Sequence, residues 1–165
     1  MIPLSRKEVQ VAHIKDIKPA LTNGGTSTAA TWMTRDLNTL ELSDPNINWV
    51  SLGVNQFTLQ PGVYEFESAA PAMNCGQHQT RLFNVTNSVA QFYGSSAYSS
   101  PTYPDTFSDS MMMGTLILTV ATTFSIQHQV NTGFAAAGLG IDTGGTFSPS
   151  NVNLFTRVKV KRIGD

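Results

Sequence analysis

Between Val50 and Ala72 the chain reads VSLGVNQFTLQPGVYEFESAAPA, and this stretch restricts the fold more than any other. Phe57 and Leu59 alternate with Thr58 and Gln60. After Pro61-Gly62, Tyr64 and Phe66 alternate with Glu65 and Glu67. Successive side chains of a strand point to opposite faces, so the bulky residues take one face and the carboxylates the other. Proline fixes φ and glycine accepts a positive φ, which makes Pro61-Gly62 a turn. The spacing predicts a hairpin with one buried face and one wet face.

The same period recurs along the chain. Val9, Val11 and His13 alternate with Gln10, Ala12 and Ile14, and Pro19 ends that strand. Arg81 and Phe83 flank Leu82 in a strand over 79–85, which turns at Asn84-Val85-Thr86-Asn87 into a second strand over 89–93. Phe124, Ile126, His128 and Val130 alternate with Ser125, Gln127 and Gln129; Thr156, Val158 and Val160 alternate with Arg157, Lys159 and Lys161. The apolar run SMMMGTLILTV (110–120) is predicted as a strand covered on both faces, since Gly114 and the β-branched Thr115, Ile117, Thr119 and Val120 disfavour a helix. Residues 94–109 are expected to form a long ordered loop carrying Tyr98, Tyr103 and Phe107. No stripe of helical period exceeds two turns. The fold class expected is all-β, an antiparallel two-sheet sandwich.

The segment from Phe57 to Tyr64, an aromatic-Thr-Leu-x-Pro-Gly-x-Tyr pattern, resembles the central hairpin of complement-type and tumour-necrosis-factor-like jelly rolls. Upstream lies NGGTSTAATWMTRDLNT (23–39). Downstream lie APAMNCGQHQTRLFNVTNS (70–88), YGSSAYS (93–99) and FTRVKVKRI (155–163). Taken in order, over 20–163, these segments are similar to the small heads of tailed-phage virion proteins. The resemblance implies a jelly roll that forms a homotrimer and recognises or decorates; it does not imply an enzyme. It assigns the doubly apolar run, with Met111, Met113, Thr115 and Ile117, to the trimer interface. It also implies that the two termini lie together at the base.

Charge bears on partners. Only 13% of the 165 residues are charged, against about 25% in ordinary domains, and the net charge is −1. That balance offers nothing to nucleic acid or an anionic membrane surface and suits a chain that buries part of its outside against copies of itself. No Lys or Arg occurs between Leu82 and Thr156. The cations gather at the ends, at Arg6, Lys7, Lys15 and Lys18, and at Arg157, Lys159, Lys161 and Arg162. Two readings fit: a particle-attachment surface formed by Arg6, Lys7, Lys15 and Lys18, or solvated edge strands whose lysines prevent edge-to-edge pairing. Residues 1–8 are expected to be an N-terminal attachment arm and 9–165 a single domain. The opening MIPLSRKEVQ has no signal-peptide core, and no run approaches the roughly 20 apolar residues of a membrane span. The expected location is the virion, assembled in the host cytoplasm, with no membrane insertion.

Chemistry is sparse. His13, His78 and His128 make no HxH or HxxxH pair, and the lone Cys75, three residues before His78, lacks any further sign of a catalytic base. Glu65 and Glu67 read as solvated charge before they read as a glycosidase pair. Asn84-Val85-Thr86 is a turn before it is a glycosylation site. No GxSxG and no phosphate-cradling loop is present. The sequence therefore predicts no catalytic residue, metal site or cofactor. Its remaining candidates are aromatic: Tyr93, Tyr98, Tyr103 and Phe107 either form a surface for a host-surface glycan or protein, or pack onto their own sandwich. A capsid-decorating (cement) protein is the leading role, with a tail-fibre or receptor-binding head and a free-standing carbohydrate-binding domain as alternatives.

Overall fold

Alternation of the kind seen at Phe57–Phe66 closes the chain into two sheets facing each other. The computed structural model describes residues 9–103, 106–142 and 152–165. The arm expected over 1–8, with Arg6 and Lys7, lies outside the described residues. The described residues form twelve strands and no helix: β1 (Gln10–Pro19), β2 (Met33–Thr34), β3 (Thr39–Leu42), β4 (Val50–Leu52), β5 (Phe57–Leu59), β6 (Gly62–Met73), β7 (Gly76–Asn84), β8 (Val89–Tyr93), β9 (Ala97–Ser99), β10 (Phe107–Leu118), β11 (Thr122–Val130) and β12 (Val152–Gly164). One sheet has the order β10-β6-β12-β1-β3. The other has the order β4-β5-β11-β7-β8, with β2 added beside β11 and β9 beside β7. Every strand pairing is antiparallel. The expected all-β two-sheet jelly roll is what the chain forms.

The expected hairpin at Pro61-Gly62 is instead a corner between the sheets. β5 pairs with β4 and β11, whereas β6 pairs with β10 and β12. Phe57, Leu59, Tyr64 and Phe66 do share one buried space, but they reach it from opposite walls. Gly62 makes the corner possible: its φ is +153°, and a Cβ there would meet Arg162 Nε at 3.0 Å and Tyr64 Oη at 3.1 Å. Tyr64 Oη donates back to the Gln60 carbonyl at 2.8 Å and ties the corner shut.

Two other expectations need adjusting. Residues 94–109 are not one loop, because Ala97–Ser99 forms β9 beside β7 and Phe107 opens β10. The Met-rich strand accordingly starts at Phe107, earlier than its apolar run suggests. The strands read at Phe124–Val130 and Phe155–Ile163, and the β7–β8 hairpin, stand as expected. Pairing of β1 with β12, in register Gln10↔Arg162, brings the described ends of the chain side by side.

The interior divides into two halves. One half is apolar and aromatic: Phe57 lies 5.8 Å from Phe124 and 6.5 Å from Phe66, and Trp49 lies 5.2 Å from Tyr64, centroid to centroid. Gly114 gives way to Phe92, whose ring sits where a Cβ would stand. The other half holds buried polar groups, including Arg35, His78, Thr80, Ser110, His128 and Thr156. Truncating Phe57 to alanine is expected to cost about 3–5 kcal/mol, whereas Thr58→Ala on the outward position should cost about 1 kcal/mol. Urea unfolding of the two variants measures both.

Candidate functional site: two outer faces and a buried polar layer

Within β10, Met112 and Leu116 are 3% and 1% exposed, while Met111, Met113 and Ile117 are 55%, 76% and 75% exposed. The inward set meets the core and the outward set, with Thr115, is exposed. β10 is also the edge of its sheet. Phe107 points outward in the same row, and Val152 and Leu154 of β12 are exposed beside it. Two shallow hollows of about 300 and 290 Å³ lie on this face. The first runs between Phe107, Val152 and Leu154; the second between Met111, Met113 and Leu154. The four residues assigned to an interface by resemblance, Met111, Met113, Thr115 and Ile117, therefore form one continuous outward stripe.

The charged residues of this sheet are paired across strands. Lys161 reaches Glu65 at 2.9 Å, Lys159 reaches Glu67 at 3.3 Å, and Arg157 reaches Asp109 at 2.6 Å. Glu65 and Glu67 thus each face a lysine. Lys15 meets Glu41 at 2.5 Å and Lys18 meets Asp36 at 2.5 Å, so these two cations already have partners within the chain. Behind Lys18 the buried Asp16 carboxyl is pushed up to about 6, mainly by loss of water.

The four aromatic candidates do not converge. Tyr93 and Tyr98 lie on the outer face of the sheet containing β7, Phe107 lies on the outer face of the other sheet, and Tyr103 stands exposed on the loop after β9. Tyr93 instead joins Trp32, 6.2 Å away, and Arg81 lies over the Trp32 ring at 4.2 Å while its Nε donates to Gln127 Oε1. Sequence reasoning gave no role to Trp32 or Arg81, because β2 comes beside β11 only through the fold.

Buried between the faces is a hydrogen-bonded relay. Ser108 Oγ donates to the Tyr98 carbonyl at 2.9 Å, so it accepts from His78 Nε2 at 2.9 Å. His78 Nδ1 must then accept, and His128 Nε2 donates to it at 2.9 Å. That order fixes both tautomers and leaves His128 Nδ1 buried with no partner. Burial lowers His78 to about 4, and burial together with the neighbouring Arg35 and His78 holds His128 well below the usual histidine range. Arg35, wholly buried, donates to Thr156 Oγ1, the Pro71 carbonyl and the Leu139 carbonyl at 2.8, 3.2 and 2.7 Å. Cys75 is sealed in as well: its thiol lies 2.8 Å from the Met73 carbonyl and 3.0 Å from Ser27 Oγ, and burial pushes it up. Both nitrogens of His78 are committed elsewhere, so His78 is not a base for Cys75. No group of three or more His, Cys, Asp or Glu side chains placed to hold a metal occurs among the described residues.

Solved structures share this architecture. Murine APRIL at pH 5.0 is 9% identical with a TM-score of 0.55, over 94% of this chain and 100% of that one. The globular domain of zebrafish complement 1qA protein is 12% identical at a TM-score of 0.52, over 93% and 95%. PRD1 vertex protein P5 is 12% identical at 0.53, over 93% and 96%. The chain shares the jelly-roll fold of these structures. Such identities establish the architecture of the jelly roll alone. No family model matches the chain, and no curated protein matches it by sequence.

The relay is expected to contribute an acid-sensitive part of the stability. Unfolded histidines bind protons near pH 6.5, whereas His78 in the fold does so only near 4. Its contribution is therefore complete above pH 6.5 and is lost as pH falls toward 4. Asp16 acts oppositely, because its raised pKa stabilises the fold as pH falls from about 6. Between pH 6.5 and 4 the wild type is expected to lose stability more steeply than His78→Gln, by up to roughly 1 kcal/mol per pH unit. Urea unfolding at a series of pH values measures the two slopes.

Proposed function

We propose that this chain is a non-enzymatic structural component of a phage particle, a homotrimeric jelly-roll knob that decorates the capsid surface. The observation that carries the reading is the uncovered apolar face formed by Phe107, Met111, Met113, Ile117, Val152 and Leu154. Contiguous exposed apolar surface of this kind marks a protein interface. An edge strand whose outward residues include Met111, Met113 and Ile117 beyond the Asp109–Arg157 pair, without the lysines or prolines that blunt free edges, is built to be covered. Copies of the same chain provide that cover in a closed ring. Likeness of fold to PRD1 vertex protein P5 supports a place on a particle. Attachment is assigned to the arm of residues 1–8 with Arg6 and Lys7; β1, which continues that arm, carries Lys15 and Lys18.

A second role, the receptor-binding head of a tail fibre, is favoured by the exposed Tyr93 and Tyr98, which lie on the sheet away from the apolar stripe. Each role uses a different face. Cement function needs the arm and the particle, whereas receptor recognition needs the tyrosine face and the host surface.

Replacing Met113 and Ile117 together with glutamate is expected to convert the trimer to a folded monomer and to abolish coating of purified capsids, as measured by light scattering and co-sedimentation. A double variant that stays trimeric would remove Met113 and Ile117 from the interface. Tyr93→Ala with Tyr98→Ala should leave capsid coating intact; loss of host adsorption with normal assembly would favour the fibre-head role instead.

A further inference from the structure

On the outer face of the sheet containing β7, side-chain amides of β7 and of the end of β11 stand in two rows. Gln129 of β11 stands directly opposite Gln79 of β7. In the next row the backbone N–H of Asn131 donates to the backbone carbonyl of Gln77, and Gln77 stands directly opposite Tyr98 of β9. A groove of about 490 Å³ is lined by Gln77, Gln79, Gln129 and Asn131, with Ser96 and Ala97 on its far wall and Tyr98, next in the chain, just beyond it. That volume lies within the range of small-molecule sites, about 300–1,000 Å³.

The chemistry of the groove is narrow. No Asp, Glu, Lys or Arg lines it. Among the described residues no side-chain hydrogen bond engages Gln77, Gln129 or Asn131. Gln79 is held in place, its Nε2 donating to the Gly94 carbonyl at 2.8 Å, so its oxygen remains available. Each free amide offers both a donor and an acceptor. Tyr98, 60% exposed on the same face as Gln77, offers a ring beside them. Its backbone is fixed from below, since Ser108 bonds the Tyr98 carbonyl and is itself held by the His78–His128 pair. The backbone beneath Gln77, Gln129 and Tyr98 is thus held in strands, while the Gln77, Gln129 and Asn131 amides remain available to a ligand.

We infer that this groove binds a neutral saccharide, with Gln77, Gln129 and Asn131 pairing to its hydroxyls and Tyr98 packing against the apolar face of a sugar ring. A hydroxyl both donates and accepts, as an amide does, so a neutral polyol satisfies these side chains without burying a charge. An anionic sugar finds no cation in the groove. A protein partner would find few of the apolar pockets that anchor protein interfaces. The groove faces away from the β10 stripe, so trimerisation through that stripe leaves it open. The inference deepens the recognition reading and is independent of capsid attachment.

The test is an NMR titration of the intact protein with lactose, cellobiose and chitobiose, following the side-chain amide signals of Gln77, Gln129 and Asn131. Sialyllactose serves as the anionic probe. Saturable shifts of these amides are expected with at least one neutral disaccharide, at a Kd of about 1 mM or tighter. Binding should weaken by about tenfold in Gln77→Ala with Gln129→Ala, and by a similar factor in Tyr98→Ala. The conservative Tyr98→Phe should retain binding, which separates ring packing from loss of fold. Absence of shifts with all three neutral sugars at about 20 mM, well above a Kd of 1 mM, overturns the inference; so do shifts centred elsewhere, or equal binding by the double variant. Host adsorption measured on the same variants keeps the two readings apart. Adsorption that survives the loss of the amides overturns the saccharide groove while leaving receptor recognition in place.

Discussion

A strand has two faces, and the jelly roll depends on satisfying both. Alternate residues of each long strand are claimed by the interior, where Phe57, Tyr64, Phe66, Leu82, Phe124 and Ile126 close the two sheets over one aromatic layer. Burial of these side chains is the dominant favourable term, and it fixes the register of every strand that contributes to it. The other half of the residues is then pointed outward by geometry alone. What those outward residues are tells what each face meets.

On that basis the molecule has three kinds of outside. The middle strands of one sheet carry charges paired across neighbours, such as Lys161 with Glu65, which is a water-facing solution of small net effect. The edge strand of the same sheet carries Met and Ile, which water does not favour. The opposite sheet carries amides and aromatic rings, with Arg81 laid over the Trp32 ring. Between the sheets, the polar half of the interior locks these faces in position: Arg35 ties together segments far apart in sequence through three hydrogen bonds, and the histidine relay holds β9 against β7 and β10.

The sequence makes the strands legible where the period is clean and long. Phe124–Val130 and Thr156–Val160 could be read directly, because one face of each is buried along its whole length. The Met-rich run was legible as a strand. The corner at Pro61-Gly62 was misread as a hairpin. Period and turn chemistry are identical for a hairpin and for a crossing between sheets; only the distant partners β10, β11 and β12 distinguish them. β9 escaped notice because three residues carry no period. The buried surroundings of Arg35, and the pairing of His78 with His128 fifty residues later, are products of register, with no local spacing to announce them. For the same reason the aromatic candidates could be named but not grouped, and the amides beside Tyr98 were not seen.

Whether the β10 face is a surface for other copies of the chain decides most of the functional account. Sedimentation equilibrium of the purified protein measures this directly. The account predicts a single species of three times the 17.8 kDa chain mass, unchanged on dilution through the micromolar range. A species of one chain mass at those concentrations, with Met111, Met113 and Ile117 left in water, would contradict it.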